Sequence, residues 1–282
     1  PASEFVTMAI VAPLAEELAK ASVFILVATG ARKLELTSLT DHIFYAGICA
    51  LGFAFVENLG YFALSSSAGE FVVMALVRTG FGVFGHPLYT TATAVGIWAW
   101  RTKGGLWKAA VGYIAACLLH GLWNGGPTLL AGSLGLDDTG QLAAMILVYI
   151  VLFVPVFIGT IIMTTRNRRN EYEAVRSQLP LMVEAGLVTP AEADMIADPR
   201  KRRAILADSG KYGRVAKRNQ KRTITAATEA ALAQHRIAAG EGGPELVKRR
   251  DQLSEWLRSR PDKLGQLPLM PQFPPIQPPA TW

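Results

Sequence analysis

The chain has 282 residues, of which 51% are hydrophobic, and its mean hydropathy is +0.27. This composition is typical of a membrane protein with a water-soluble appendage and argues against a wholly water-soluble globular protein. Residues 1–165 carry 7 Lys or Arg against 9 Asp or Glu, whereas residues 166–282 carry 21 against 13. The net charge of +6 therefore arises from the C-terminal part alone. No basic segment precedes the first apolar stretch, so no secretory signal is legible, and we expect the native chain to begin upstream of Pro1.

Five stretches are apolar and long enough to cross a bilayer, which takes about 20 residues. They are residues 5–29, 43–64, 71–100, 106–130 and 142–164. The loops at 30–41 and 101–108 contain Lys and Arg, as does the segment that follows the fifth stretch, whereas the two intervening loops contain neither. By the positive-inside rule the basic loops face the cytoplasm. We therefore predict an all-α fold: a polytopic bundle of five spans over residues 1–165, in the plasma (inner) membrane, followed by a cytoplasmic helical tail.

Two regions follow the predicted bundle. Residues 166–262 are basic and have the pattern of soluble helices, with a capping box Thr-Pro-Ala-Glu at 189–192 that marks a helix start. An Ala-rich helix is predicted near 223–239, and another at 244–260. Residues 263–282 are rich in proline and are predicted to be disordered.

The basic segment at residues 200–222 admits three interpretations. It can be the solvated face of a helix, it can contact anionic lipid beneath the membrane, or it can bind nucleic acid. The tail carries no recognised nucleic-acid-binding signature. We therefore expect no nucleic-acid partner, and the solvated face and the lipid contact remain as alternatives.

Titratable residues lie deep inside four of the five predicted spans. They are Glu16, Glu17, Glu57, His86 and His120. An ionised group at the centre of a bilayer costs at least about 2.5–3.5 kcal/mol, so such residues usually serve a function. Each alone could be a structural hydrogen-bonding residue, but together they predict a shared site. With a helical rise of ~1.5 Å per residue, their depths are compatible with one layer near the middle of the membrane.

Neighbouring residues support the prediction of a site. Lys20 lies four residues after Glu16, on the same helix face, and can neutralise one of the paired carboxylates. Pro13 and Pro87 each deprive a backbone carbonyl of its helical partner. We therefore expect a bend or an opening of the helix beside Glu16 and a second kink beside His86.

Two asparagines accompany these residues. Asn58 directly follows Glu57, and Asn124 lies four residues after His120, on the same helix face. An Asn on that face can bind a substrate carbonyl or an oxyanion. Three further polar residues are interpreted as lying outside the site. They are His42, an interface or capping residue at the start of a span, Arg78 near the outer end of a span, and His235 on the surface of the tail. Arg78 can extend outward to the interface or pair with a carboxylate.

These residue types can together carry out hydrolysis. A carboxylate can activate a water as general base while His nitrogens, with or without another carboxylate, hold Zn²⁺. The sequence contains no HExxH motif, so the common zincin arrangement does not apply. Buried Glu and His on Pro-broken helices are also expected in an ion- or proton-coupled transporter. A catalytically silent membrane scaffold is the third alternative.

The chain resembles the PrsW family of membrane-embedded metalloproteases, which is related to the CAAX-prenyl-protease and bacteriocin-processing (Abi) superfamily. The resemblance covers about residues 5–130. It rests on an EExxK box at residues 16–20, an FxxxEN box at residues 53–58, His86, and an HxxxN box at residues 120–124. Asn124 stands where we expect an acidic residue in the PrsW pattern, and this box is closer to the CAAX-protease form.

The resemblance implies an endopeptidase that cleaves within or near the bilayer, with Zn²⁺ as cofactor. Its substrates would be membrane-associated proteins, such as an anti-sigma factor or a prenyl/CAAX-like protein. Glu16 and Glu17 are implied to be catalytic, and we expect Glu16 to act as general base and Glu17 as its partner or as a ligand.

The other predicted roles concern metal binding and the oxyanion. His86 and His120 are expected to bind the metal, and Glu57 is expected to be a ligand or to support one. Asn58 and Asn124 are expected to orient water or to stabilise an oxyanion.

Overall fold

The computed structural model describes residues 2–30, 36, 38–80, 82, 84–240 and 243–260. Every regular element in these residues is a helix, which confirms the predicted all-α class. The chain forms two compact units, Pro1–Arg169 and Asn170–Trp282. Each unit has its own hydrophobic core.

The first unit is a bundle of α-helices interrupted by two π-helical turns. In chain order its elements are α1 (Ala2–Val6), a π-helical turn (Thr7–Val11), α2 (Ala12–Thr29), α3 (Leu39–Ala63), α4 (Ala68–Gly80), α5 (Gly85–Lys103), α6 (Trp107–Leu134), α7 (Asp138–Val148), a second π-helical turn (Tyr149–Phe153) and α8 (Val154–Glu184). Helix α8 continues into the second unit.

Within the described residues, three helical stretches are long and apolar enough to cross a membrane. They are Leu39–Ala63, Ala68–Lys103 and Gly140–Glu184. They correspond to the second, third and fifth predicted spans, which makes the chain an integral membrane protein. The first and fourth predicted spans are helical as α2 and α6. Helix α2 carries three charged residues close together, and α6 contains the polar residues His120 and Asn124. These residues lower the apolar character of both helices.

The third predicted span is divided into two helices. Helix α4 ends at Gly80 and α5 begins at Gly85. Pro87 lies in the first turn of α5, where a proline costs no helical hydrogen bond. The kink predicted beside His86 is therefore wrong, because a helix starts at this point. Val83, whose carbonyl was expected to lose its partner, lies outside the described residues.

The opening predicted at Pro13 is confirmed. The π-helical turn Thr7–Val11 immediately precedes α2, and the N–H of Ala12 donates to a carbonyl five residues earlier. Pro13 has no N–H and cannot pair with the carbonyl of Ala9. Helix α6 packs closely here, because a Cβ on Gly121 would lie 2.4 Å from the Ala9 carbonyl oxygen. Only glycine permits this approach.

Helix α5 packs against both α3 and α6. Its crossing with α6 is close because glycines face each other. A Cβ on Gly96 would lie 2.5 Å from the carbonyl oxygen of Lys108, and a Cβ on Gly112 would lie 2.5 Å from that of Ala92. Small residues allow such contact between the backbones of membrane helices. The crossing fixes the relative position of the two helices that carry His86 and His120.

The second unit combines the end of α8 with four shorter helices. They are α9 (Pro190–Ile196), α10 (Pro199–Ser209), α11 (Arg214–Ala238) and α12 (Pro244–Ser259), with a 3₁₀ turn (Gly210–Tyr212) after α10. The Ala-rich helix is longer than predicted because α11 begins at Arg214, and the helix predicted at 244–260 is confirmed as α12.

The predicted capping box at the start of α9 is also confirmed. The N–H of Glu192 donates to Thr189 Oγ1 at 3.2 Å, and the N–H of Thr189 donates to Glu192 Oε2 at 2.8 Å. The basic segment 200–222 covers α10, the 3₁₀ turn and the start of α11, and most of its residues are exposed. The prediction for residues 263–282 lies outside the described residues.

Candidate active site

Four helices of the first unit bring the predicted site residues together. Helix α2 supplies Glu16 and Glu17, α3 supplies Glu57, the first turn of α5 supplies His86, and α6 supplies His120. Glu17, His86 and His120 are buried. Glu16 and Glu57 each keep 20% of their side-chain surface exposed. The site is therefore enclosed on the side of the histidines and accessible on the side of these two carboxylates.

Glu17 is the most extensively bonded carboxylate of the site. Its Oε1 accepts hydrogen bonds from Lys20 Nζ at 2.7 Å and from His120 Nδ1 at 3.1 Å. Its Oε2 accepts a hydrogen bond from Thr90 Oγ1 at 3.0 Å. A carboxylate with three donors around it is held in one orientation. Glu17 thus holds the side chains of Lys20, Thr90 and His120 in place.

The bond to Glu17 determines which nitrogen of His120 is available. Because Nδ1 donates to the Glu17 carboxylate, Nε2 of a neutral His120 carries the lone pair. This Nε2 lies 3.7 Å from Oε2 of Glu16. A buried carboxylate that fixes the tautomer of an imidazole is the usual support of a metal-binding histidine.

Glu16 contributes an oxygen that the described residues leave without a hydrogen bond. Its Oε2 is buried and has no hydrogen-bond partner among them. Nε2 of His120 and Nζ of Lys20 each lie 3.7 Å from it. A buried carboxylate oxygen in this condition is costly unless it serves a ligand or a reaction.

His86 is held through both ring nitrogens. Lys20 Nζ lies 2.7 Å from His86 Nδ1, and Glu57 Oε2 lies 2.8 Å from His86 Nε2. An ammonium group can only donate, so Nδ1 is the acceptor and Nε2–H donates to Glu57. Glu57 therefore fixes the tautomer of His86 as Glu17 fixes that of His120.

Three of the predicted residues form a group that fits a metal ion. Glu16, His86 and His120 can each offer one ligand atom, and these atoms lie within 4.8 Å of one another. Imidazole nitrogen and carboxylate oxygen are ligands that Zn²⁺ accepts. The unbonded Glu16 oxygen and the two carboxylate-supported imidazoles agree with such a site. The Lys20 ammonium bonds His86 Nδ1 and would have to release that nitrogen to a metal.

Arg78 was excluded from the site by sequence reasoning, and the structure places it beside Glu57. Its Nη2 donates to Glu57 Oε2 at 2.7 Å, and its Nε donates to Asn58 Oδ1 at 2.5 Å. Its guanidinium lies over the ring of Tyr61, 3.9 Å from the centroid. Glu57 and Asn58 are adjacent on α3 and Tyr61 lies one turn later, so Arg78 contacts all three. The bond to Arg78 engages the oxygen of Asn58.

Asn124 contacts backbone in the described residues. Its Nδ2 donates to the carbonyl oxygen of Met8, in the π-helical turn, at 3.1 Å. One face of α6 makes a second such bond, since the hydroxyl of Tyr113 donates to the carbonyl oxygen of Leu14 at 2.8 Å. These bonds attach α6 to the opened helix that carries the paired glutamates.

Sequence reasoning also missed Thr90 and Tyr89, and it gave no role at the site to Phe53, the first residue of the FxxxEN box. Thr90 bonds Glu17, Tyr89 stacks on His120 with ring centroids 4.8 Å apart, and Phe53 lies 4.4 Å from the Lys20 ammonium. Thr90 lies four residues after His86, so helical spacing could have found it. Aromatic residues in apolar helices are too common to be a signal.

The two remaining histidines lie elsewhere. His42 was interpreted as an interface or capping residue, but it is buried: its Nδ1 lies 2.7 Å from the carbonyl oxygen of Ser38, and its Nε2 accepts from Arg101 at 2.9 Å. His235 is exposed on α11, as predicted.

A membrane-embedded helical bundle that gathers two carboxylate-supported histidines and a further glutamate has the features of an intramembrane metallohydrolase. Residues 1–160 match a family model described as PrsW family intramembrane metalloprotease. The chain belongs to this family, and the resemblance drawn from the four sequence elements is confirmed. A search of curated proteins and a search of solved structures gave no significant match. Membership of the family makes the chain a membrane protease.

Proposed function

We propose that the chain is a zinc-dependent endopeptidase that hydrolyses peptide bonds of membrane-associated proteins with a water activated by Glu16. The observation that carries the proposal is the buried Glu16 oxygen, which faces Nε2 of His120 at 3.7 Å and has no hydrogen bond within the described residues. A general base needs an acceptor of this kind within reach of a water. Its membership of a metalloprotease family supports the same conclusion.

His86 and His120 would hold the metal, with Glu17 and Glu57 orienting their rings. When bound, Zn²⁺ polarises a carbonyl and activates a coordinated water. Lys20 places a positive charge beside Glu16, Glu17 and His86. Its Nζ bonds both Glu17 and His86, at 2.7 Å each. Its displacement from His86 Nδ1 would leave the bond to Glu17 in place.

Glu16 would take one proton from the attacking water while the oxygen of that water forms a bond to the carbonyl carbon of the scissile peptide. The same carboxyl would then give this proton to the nitrogen of the departing amine, which restores the base. Glu17 cannot serve as the base in this arrangement, because both of its oxygens accept hydrogen bonds from Lys20, His120 and Thr90.

The topology belongs to the same proposal. All five apolar stretches would cross the plasma (inner) membrane, with residues 1–165 as the protease domain and the C-terminal unit in the cytoplasm. The alternation of basic and non-basic loops supports this orientation. The charges of α2 are compatible with a span because they face one another inside the bundle, where Lys20 and Glu17 are buried and paired.

The partners of the site would be the bilayer and a membrane-bound protein, such as an anti-sigma-factor-like or prenyl/CAAX-like protein. The exposed basic segment 200–222 would contact anionic lipid. Its Arg and Lys residues are mostly exposed, which leaves them available for such a contact.

The test combines metal content with proteolysis. Membranes incubated with purified protein are searched by mass spectrometry for new peptide termini, for the wild type, Glu16→Gln and His120→Ala. Glu4→Gln, the same change at an exposed position of α1, is the matched control. We expect one zinc per chain in the wild type and in Glu16→Gln, loss of zinc in His120→Ala, and new termini only with the wild type and the control.

Two results would contradict the proposal in different ways. A Glu16→Gln variant that loses zinc identifies Glu16 as a ligand and removes its assignment as base. A wild-type protein that holds no zinc and creates no new termini overturns the assignment of hydrolysis as a whole.

A further inference from the structure

Tyr89 lies against both histidines of the site but bonds neither. It is buried, with 1% of its surface exposed, and lies on α5 one turn after His86. Its ring stacks on that of His120, with centroids 4.8 Å apart and planes at 23°. It meets His86 edge-on, with centroids 5.8 Å apart. The ring also packs against Phe153, with centroids 5.7 Å apart.

The hydroxyl of Tyr89 is buried and has no hydrogen-bond partner among the described residues. Burial of a hydroxyl without a partner destabilises a protein, and such groups in native structures call for an explanation. The packing alone does not supply one, because a phenylalanine would make the same ring contacts without this cost.

Gly85 accommodates the hydroxyl. A Cβ on Gly85 would lie 2.6 Å from the Tyr89 oxygen, so any larger residue would displace it. Gly85 directly precedes His86 and is the first residue of α5. The hydroxyl is therefore held at the helix start that carries one of the two proposed metal ligands. The fold thus leaves room for an unbonded hydroxyl beside the proposed reaction centre. This arrangement is explained if the hydroxyl acquires a hydrogen-bond partner during the reaction.

We propose that Tyr89 is a catalytic residue that donates a hydrogen bond from its hydroxyl to the carbonyl oxygen of the scissile peptide. This oxygen becomes negatively charged when water adds to the carbonyl carbon, and a preorganised donor stabilises that charge. Tyr89 keeps its proton throughout, while Glu16 accepts the proton of the water. The inference rests on the proposed peptidase function and adds an oxyanion donor to the two amides expected from the sequence, of which Asn124 donates to the Met8 carbonyl.

The experiment compares Tyr89→Phe with the wild type in detergent. The substrate is a peptide whose cleavage distinguishes wild type from Glu16→Gln in the membrane digests. We expect the variant to keep its zinc and an unchanged or higher Tm, because it loses only an unbonded hydroxyl. Removal of one oxyanion donor lowers kcat by about 10²-fold, and we expect a loss of this order with little change in KM.

Thr93→Val is the matched control. Thr93 lies one turn further along α5, and its buried Oγ1 also has no hydrogen-bond partner among the described residues. The Val variant should share the unchanged Tm and retain the wild-type kcat. Tyr113→Phe removes a phenol hydroxyl that is bonded at 2.8 Å and should lower Tm with a far smaller effect on kcat than Tyr89→Phe.

The outcomes separate the inference from the function on which it rests. An active wild type with equal kcat in Tyr89→Phe overturns the role of Tyr89 and leaves the peptidase intact. If Tyr89→Phe loses zinc and has a lowered Tm, the hydroxyl supports the fold. This result also overturns the proposed role of Tyr89. A wild type without cleavage or zinc overturns both.

Discussion

Glu17 of α2 and His120 of α6 are joined by a hydrogen bond of 3.1 Å between Oε1 and Nδ1. This contact connects the EExxK box with the HxxxN box, which are about a hundred residues apart in the chain. It fixes the tautomer of His120, so that Nε2 is the nitrogen left for a metal. Glu16, the neighbour of Glu17, faces that nitrogen. Two adjacent carboxylates thus have different surroundings, since Glu17 accepts three hydrogen bonds and Oε2 of Glu16 accepts none within the described residues.

The first prediction concerns this pair. In Glu17→Gln the carboxylate no longer orients His120, and loss of such a supporting carboxylate typically weakens metal binding by about 10–100-fold. Competition with a zinc chelator measures the change. Thr90→Val, which removes only the bond to Oε2, should have a smaller effect. Equal zinc affinity in Glu17→Gln and the wild type would show that His120 is oriented by other contacts.

Arg78 gives the second prediction. Its guanidinium bonds Glu57 and Asn58 at once, so Arg78→Met leaves the half-buried Glu57 with His86 alone, and Arg78→Lys can restore only one of the two bonds. We expect the stability, measured by unfolding in detergent, to decrease from the wild type to the Lys variant and further to the Met variant. A double-mutant cycle with Glu57→Gln should give a coupling of about 0.5–3 kcal/mol. Additive effects would mean that the ion pair does not hold α4 (Ala68–Gly80) against α3.

The convergence of the two glutamates of α2 with His86 and His120 could be predicted from the sequence. The reason is physical, since titratable side chains deep in apolar helices are stabilised chiefly by one another. The opening at Pro13 followed from the missing N–H, which is a property of the residue itself.

Other parts of the site depend on the fold. Arg78 was left outside the site, with an outward position and a pairing with a carboxylate as alternatives, and its pairing with Glu57 depends on α4 lying against α3. The bond of Asn124 to the Met8 carbonyl, which lies in the π-helical turn, was not expected from the sequence. Tyr89 gave no signal, because its position against two histidines results from the packing of α5 on α6.

Asn124 provides the third prediction. Its amide donates to the Met8 carbonyl, so Asn124→Asp loses the donor and this hydrogen bond, whose net contribution to stability is about 0.5–1.5 kcal/mol. Tyr113→Phe removes the neighbouring bond to Leu14 and is the matched comparison. If Asn124 acts through the helix alone, both variants lower Tm and their activities fall in proportion. A loss of kcat in Asn124→Asp that far exceeds that of Tyr113→Phe at equal Tm would instead place Asn124 at the oxyanion.

The fourth prediction concerns the second unit, where Arg260 joins the end of α12 (Pro244–Ser259) to the capping box of α9. Its Nη2 lies 2.5 Å from Glu192 Oε2, and its Nη1 donates to Thr223 of α11 at 3.1 Å. Both charged side chains are buried, and removing one member of a buried pair costs about 3–5 kcal/mol.

Arg260→Met should therefore raise the rate of amide hydrogen exchange in α9 and α11 of the full chain. The double variant with Glu192→Gln should recover part of the loss, because no buried charge is then left behind. Arg258→Met, an exposed change on the same helix, should exchange as the wild type does, and equal exchange in the two Met variants would show that the buried pair does not close this unit.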